Sequence, residues 1–444
     1  MNAKPDRKLL VVQVAALGWD LLAEDGAETA SWLDLDFVPI DTVFPAVTCT
    51  VQASFRTAST PAAHGMVANG LYHRALGKAM FWEQSAGLVA GERIWRAFRD
   101  RGGTVAMLFW QQSIGEGVDV LCTPAPIHKH HGGMIQTCHT RPAGLYETLC
   151  KRLGGPFRLR HYWGPLASAK AGHWISRATA EVLRDPDLAP GLCLTYLPTL
   201  DYDLQRFGPG HPRAAAALSA VRAQLGSLLA AARDGGYDVV VFGDYAIGAV
   251  SGPAVLPNLA LREAGMLAVR SVGGRLYPVL PDSRAFALCD HEVAHVYVRR
   301  ADDVRAARDV LAALDGVGEV LAGDEAADAR ARHPNAGELV ILADRGRWLG
   351  YPWWSDKRHR PDYATHIDIH NKPGFDPCEL FFGWPPMRIT QDTSRLGGSH
   401  GHVGAERRVA AAATIELDKS LTNMIDLASA VRDWLDRRPQ VANP

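Results

Sequence analysis

The 444 residues carry 47 Lys and Arg against 48 Asp and Glu, for a formal net charge of −1 at pH 7, and 47% of them are hydrophobic. That balance excludes a chain that binds nucleic acid or membrane surfaces through bulk charge, and it supplies enough apolar material for a large core. The seven cysteines, Cys49, Cys122, Cys138, Cys150, Cys193, Cys289 and Cys378, are odd in number and form no CxxC pair, so free thiols in a reducing, cytoplasmic setting are expected.

The first element is "LLVVQVAALG", an apolar run closed by Gly18, which is the form of a central parallel strand. It is too short to cross a bilayer, and no other apolar run approaches that length, so no membrane span is expected. The stretch "FPAVTCTVQASFRTASTPAAHGMVANG" (residues 44–70) then reads as an extended segment opening a helix at Thr48. A threonine there sets its hydroxyl at a helix N-terminus, where unpaired N–H groups and the dipole favour an anion. The plainer alternative is a simple N-cap. Cys49, with no adjacent His, reads as packing.

The apolar-strand form returns in "GGTVAMLFW" (102–110), "GLCLTYLP" (191–198) and "YDVVVFGD" (237–244). Helical patterns lie between, at 91–102, 167–185 and 211–236, the last Ala-rich and amphipathic. Strands alternating with helices specify an α/β fold, a mostly parallel sheet flanked by helices on both faces, with ligands beyond the carboxyl ends of the strands. The "HKHH" tract (His128, His130, His131) reads as a surface or substrate-entry loop.

After Cys289 the pattern shifts. "HVYVRRADDVRAARDVLAALDGVGEVLAG" reads strand, helix, strand, and "GELVILAD" adds a strand, which makes 289–345 a small α+β insertion between core segments 1–288 and 346–444. "DHEVAHVYV" offers Asp290, His291 and His295 as a candidate ligand group, against the simpler reading in which His295 starts a buried strand and His291 caps it. "WWSDKRHR" (353–360) mixes aromatic and basic residues, either a solvated loop with aromatic anchors or the lining of a phosphate or lipid-phosphate pocket. In "THIDIHNKPGFD", His366, Asp368 and His370 alternate with Ile367 and Ile369. A strand here would put three metal-capable side chains on one face, and the alternative is a solvated edge strand.

Phe44-Pro45, Thr48, Pro61, His64-Gly65 and Asn69 match, without a gap, the nucleophile segment of the type I phosphodiesterase/nucleotide pyrophosphatase family of the alkaline phosphatase superfamily, and the chain resembles that family. The resemblance implies an alkaline-phosphatase-like fold, Thr48 as the residue that attacks phosphorus, and a site built on two zinc ions held by Asp and His. "YLPTLDYDLQRFGPG" matches at Tyr196, Asp201, Gly208 and Pro209, with Gln205 at a His position and Asp203 expected to point away on an extended segment. "FGDYAIG" matches at Asp244, with Tyr245 at a His position; "GGSHGHVG" matches at His400, with His402 a spare imidazole. The leading Asp-Gly pair of the family is Leu17-Gly18 here, with Asp20 three residues on, and Val51 stands where an Asn steadies a phosphate oxygen.

By resemblance, then, Thr48 is the nucleophile. Asp201, Asp244 and His400 are the surviving metal ligands, with His366, Asp368 or His370 to complete a single-ion or heavily altered site. The cofactor implied is a divalent ion, zinc or manganese, Gln205 favouring the harder one. The function implied is a divergent metal-dependent hydrolase of phosphodiester, pyrophosphate or phosphate-ester bonds in a small phosphate-containing substrate, with no nucleic-acid partner. The alternatives are a pseudoenzyme that binds on the same fold, or another phosphoryl-transfer chemistry on a phosphorylated metabolite or lipid phosphate.

Overall fold

The computed structural model describes residues 7–23, 26–322, 332–417 and 421–437. The four apolar runs become neighbouring parallel strands: β1 (Leu9–Val14), β4 (Val105–Leu108), β7 (Leu192–Leu197) and β8 (Asp238–Gly243). With β2 (Ala30–Trp32), β3 (Leu35–Ile40), β5 (Val120–Pro124), β6 (Cys138–Arg141) and β13 (Val409–Ala413) they form a nine-stranded sheet in the order β6-β5-β4-β7-β1-β8-β13-β3-β2. β5 extends the parallel block; β6, β13, β3 and β2 pair antiparallel at the two flanks. Every residue of β1 and β7 is buried, as continuous apolar strands covered on both faces must be. Each Val or Leu fully buried in this way stabilises the fold by about 1.5–3 kcal/mol relative to an exposed one.

Helices α1 (Thr48–Thr57), α2 (Ala169–Arg184), α3 (Thr199–Phe207), α4 (Pro212–Gly235) and α6 (Met424–Asp436) cover the sheet. α4 begins on Pro212, ends at the left-handed Gly236, and packs against α2 and α3. By length and composition it is apolar enough to cross a membrane, which the expectation of no such run had missed. The cause is its long Ala-rich face.

A second sheet is antiparallel, ordered β9-β10-β12-β11 from β9 (Ala285–Asp290), β10 (Val293–Val298), β11 (Val317–Ala322) and β12 (Leu339–Ala343), with α5 (Val304–Ala312) against it. It has its own apolar core, including Phe286, Leu288, Tyr297, Leu311, Ile341 and Trp353. Its first strand starts at Ala285, four residues before the compositional shift. The two-residue turn His291–Glu292 between β9 and β10 points back to the main sheet: Glu292 N–H donates to the His400 carbonyl, and Arg407 bonds the Glu292 carboxylate at 3.0 Å.

The strand expected over 366–370 does not form. A 3-10 turn at Asp362–Thr365 is followed by a coil in which the Asp368 carboxylate accepts N–H from His370 and Asn371 and from the Asn371 side chain. An Asp bonding the backbone two and three residues on curls the chain, and alternation of residue types cannot overcome that. Ile367, which a strand would have turned to the opposite face, is half exposed.

Candidate active site

Three adjacent strands, β7, β1 and β8, end at the same edge, and the segments that follow them build the site. Leu17 follows β1, Asp201 lies in the first turn of α3 after β7, and Asp244 follows β8 directly. Thr48 is the first residue of α1. Val47 occupies the cap position in extended conformation, so the N-cap alternative falls. His400 arrives on the loop before β13, and its Nδ1 bonds the Ala46 carbonyl at 2.7 Å, which brings it beside Thr48.

The four residues matched to the family motifs, Thr48, Asp201, Asp244 and His400, meet at this edge of the sheet. Tyr245 connects them: its phenol donates to Asp201 at 2.9 Å and lies beside the Thr48 hydroxyl, and its ring lies flat on the His400 imidazole with centroids 3.5 Å apart. Tyr196 is a second phenol beside Thr48. The enclosure is nearly complete, with Thr48 4% exposed and Asp201 6%. A cleft of about 560 Å³ opens next door, lined by Gly18, Asp20, Ala246, Gly248, Arg345 and Arg407 among others, and Thr48, Asp201, Asp244 and His400 are not in its wall.

The carboxylates are bonded from within the protein. Asp244 accepts from Gln13 Nε2 at 2.8 Å, from the Ala16 N–H at 2.9 Å and from the Tyr245 N–H at 3.0 Å. Burial nevertheless pushes its pKa up to about 7, with those bonds opposing and the Asp201 charge adding to the rise. Asp201 is also shifted upward, by burial first, against the pull of Gln205, His291 and Tyr245. The phenols of Tyr196 and Tyr245 are driven well above their usual value, chiefly by burial and then by these carboxylates, so both are hydrogen donors. Burial, with His291 next, holds His400 far below the usual imidazole value, as a neutral ring.

Asp201 and Gln205 share one face of α3 at i,i+4 spacing, and Gln205 Nε2 lies 2.8 Å from both Asp201 oxygens. Gln205 therefore presents its amide donor to Asp201, not its carbonyl to an ion. Asp203, expected on an extended segment, is on the same helix and pairs with Arg206 at 3.3 Å. Asp20 is exposed and lies on the neighbouring cleft, and Leu17 is buried and carries no lone pair. His402 bonds the Ala343 carbonyl at 2.8 Å. His366 and His370 are exposed; their Nδ1 atoms bond the backbone of Asp362 and Phe81, and Asp368 is spent on its own turn.

The residues present do not fit the two-ion set implied by the resemblance. Among the described residues no three His, Cys, Asp or Glu side chains gather closely enough to hold an ion. Both oxygens of Asp201 and of Asp244 already accept hydrogen bonds, and a donor's positive end there competes with a cation's approach.

The sequence offered His291 as a candidate, with a strand cap as the preferred reading; the structure places it at the site. It sits at φ +65° in the β9–β10 turn, a left-handed conformation that is costly for a non-glycine residue. Its ring lies between Phe375 and His400, 3.7 Å from each by centroid. Its Nδ1 bonds Asp290 at 2.8 Å, and Asp290 in turn accepts from the Asn69 N–H at 2.7 Å and from the Asn69 side chain at 3.1 Å, while Asn69 accepts the Cys49 N–H at 3.0 Å. His291 Nε2 is buried and has no hydrogen-bond partner among the described residues. The Asp-His pair was visible in the sequence, but nothing local joined it to Thr48. Gln13, a lone amide inside an apolar strand, was the one unexploited signal for the support of Asp244. Cys49 does pack: it is fully buried, accepts from Gln112, and burial lifts its thiol to about 12.

Fold and site together define a member of the alkaline phosphatase superfamily with a rebuilt centre. The sequence model for type I phosphodiesterase / nucleotide pyrophosphatase matches residues 9–376, and the chain belongs to that family. No curated protein sequence matches it. Among solved structures it is similar to phosphonoacetate hydrolase from Sinorhizobium meliloti 1021, in complex with phosphonoformate, at TM-score 0.60 and 17% identity over 98% of this chain and 96% of that one. It is similar to murine ectonucleotide pyrophosphatase / phosphodiesterase 5 at TM-score 0.58 and 15% identity, covering 99% and 96%. The human form of that protein gives TM-score 0.59 and 13% identity, covering 98% and 97%. At these identities the likeness is one of fold.

Proposed function

We propose that this chain hydrolyses a phosphate or phosphonate ester of a small molecule, with Thr48 as the nucleophile. The observation that carries the reading is the placement of Thr48: first residue of a buried helix, at the carboxyl edge of the parallel sheet, with its hydroxyl beside the phenol of Tyr245. Because Tyr245 donates its own hydrogen to Asp201, its oxygen is free to accept one from Thr48. The Thr48 proton moves to Tyr245 as the Tyr245 proton moves to Asp201. The Thr48 oxygen bonds phosphorus, the ester P–O bond breaks, and the leaving oxygen takes a proton from water. Water then releases the phosphoryl group from Thr48 and restores the protons. Membership of a hydrolase family and a fold shared with phosphonoacetate hydrolase support the reaction class.

A second reading, binding without turnover, is favoured by the burial of Thr48 at 4% exposure. Turnover of a chromogenic phosphodiester and a chromogenic phosphonate monoester by the full chain separates the two. The hydrolase reading expects turnover that Thr48→Ala abolishes. Turnover equal in wild type and Thr48→Ala refutes it, and saturable binding of the ester with no turnover supports the second.

A further inference from the structure

We propose that this site takes its ligand without a divalent cation, and that Gln205 and Tyr245, which stand where the resemblance places two metal-binding histidines, exclude the cation. The inference deepens the function proposed above, and rests on it only for the class of ligand.

The argument is one of donors and acceptors. A divalent ion is held by lone pairs, and two ions close together need several anionic oxygens to offset their mutual repulsion. Here Asp201 receives Gln205 Nε2 on both oxygens at 2.8 Å and the Tyr245 hydroxyl on one of them at 2.9 Å. A cation approaching Asp201 would meet N–H and O–H hydrogens end on. Removing them would leave a buried amide and a buried phenol unpaired, each costing a desolvation penalty. On the other side Leu17, fully buried, offers only methyl groups, and Asp244 is committed to Gln13 and two backbone N–H groups.

The space is filled as well. The Tyr245 ring covers the His400 imidazole at 3.5 Å with an interplanar angle of 3°, and His291 packs against that imidazole at 3.7 Å. His400 is thus packed between aromatic neighbours, with its Nδ1 held by the Ala46 carbonyl. The replacements act in concert: Gln205 and Tyr245 each supply a donor to the same carboxylate, Asp201, and compensate inside the protein the negative charge a metal would otherwise balance.

The test uses the full chain purified without chelator. Metal content is measured by elemental mass spectrometry, and thermal stability is measured before and after addition of Zn²⁺ or Mn²⁺. The expected result is well below about 0.2 ions per chain and no rise in Tm with either ion, since a ligand that binds the folded state must raise it. The variant with Leu17→Asp, Gln205→His and Tyr245→His is expected to acquire stoichiometric zinc and a zinc-dependent rise in Tm. If it does not fold, the single variant Gln205→His, which leaves Tyr245 and Leu17 in place, is expected to bind no more zinc than wild type. Stoichiometric Zn²⁺ or Mn²⁺ in the wild type, lost in Asp201→Asn, overturns the proposal. These readouts do not depend on turnover. Metal-free protein that cleaves nothing leaves this inference standing and removes the function above; metal-loaded protein that cleaves esters does the reverse.

Discussion

Asp244→Asn is the most informative single substitution, because the structure specifies both its geometry and its pH dependence. Asp244 Oδ1 accepts the N–H groups of Ala16 and Tyr245, and an Asn carbonyl oxygen can accept both. Asp244 Oδ2 accepts Gln13 Nε2, while Gln13 Oε1 is buried without a partner among the described residues. Flipping the Gln13 amide would let it accept from the new Asn side chain, so the variant keeps every bond and loses only the charge. In the wild type, burial raises this carboxyl from its ordinary 3.8 to about 7. An acid whose folded pKa is raised binds more protons folded than unfolded. Its stabilising contribution is complete below the unfolded pKa and is lost as pH climbs through the folded one. A displacement of about three pH units corresponds to roughly 4 kcal/mol lost between pH 4 and pH 8. For a chain of this size the entropy of unfolding is about 0.9 kcal/mol per kelvin, so the loss amounts to about 4 °C in Tm. Differential scanning calorimetry at pH 4, 6 and 8 should therefore show the Asn variant gaining about 4 °C on the wild type across that range. Parallel Tm profiles for the two proteins would mean that Asp244 ionises freely in the folded state, and the buried-carboxylate account of the site would be wrong.

Other consequences are as direct. His291→Asn keeps a residue that tolerates the left-handed backbone and still reaches Asp290, yet removes the unpartnered Nε2; ester turnover or ligand affinity should fall at least about tenfold with the far-UV circular dichroism unchanged, and unchanged affinity and turnover would exclude a ligand contact. Tyr245→Phe breaks the link between Thr48 and Asp201; kcat should fall at least about 100-fold with KM little altered, and a retained kcat would remove Tyr245 from the proton path. Lys372 is buried between Asp376 at 2.7 Å and Glu379 at 2.6 Å, so Lys372→Met leaves two buried carboxylates unpaired and should cost about 3–5 kcal/mol in chemical denaturation, a loss that adding Glu379→Gln should partly recover.

What the sequence determined by itself is what depends on neighbours along the chain. The apolar runs around Val11, Met107, Leu194 and Val241 had no arrangement open to them but strands buried on both faces, and their alternation with helices set the parallel sheet. The gapless segment from Phe44 to Asn69 was enough to place Thr48 at a helix start, and the resemblance set Leu17, Gln205 and Tyr245 at positions where the family pattern has metal ligands. Only the tertiary structure decided what those displacements accomplish. Whether Gln205 turns its amide or its carbonyl toward Asp201 depends on a side-chain rotation, and which group Tyr245 meets depends on a helix 44 residues away in the chain. His291 reaches the site because a hairpin of the second sheet folds back onto the loop of His400, a contact across more than 100 residues that no local period encodes. The alternation of His366, Asp368 and His370 misled for the converse reason. Residue types set the pattern, but the bonds of one Asp side chain to the backbone just beyond it set the shape, and a curled segment has no common face to offer an ion.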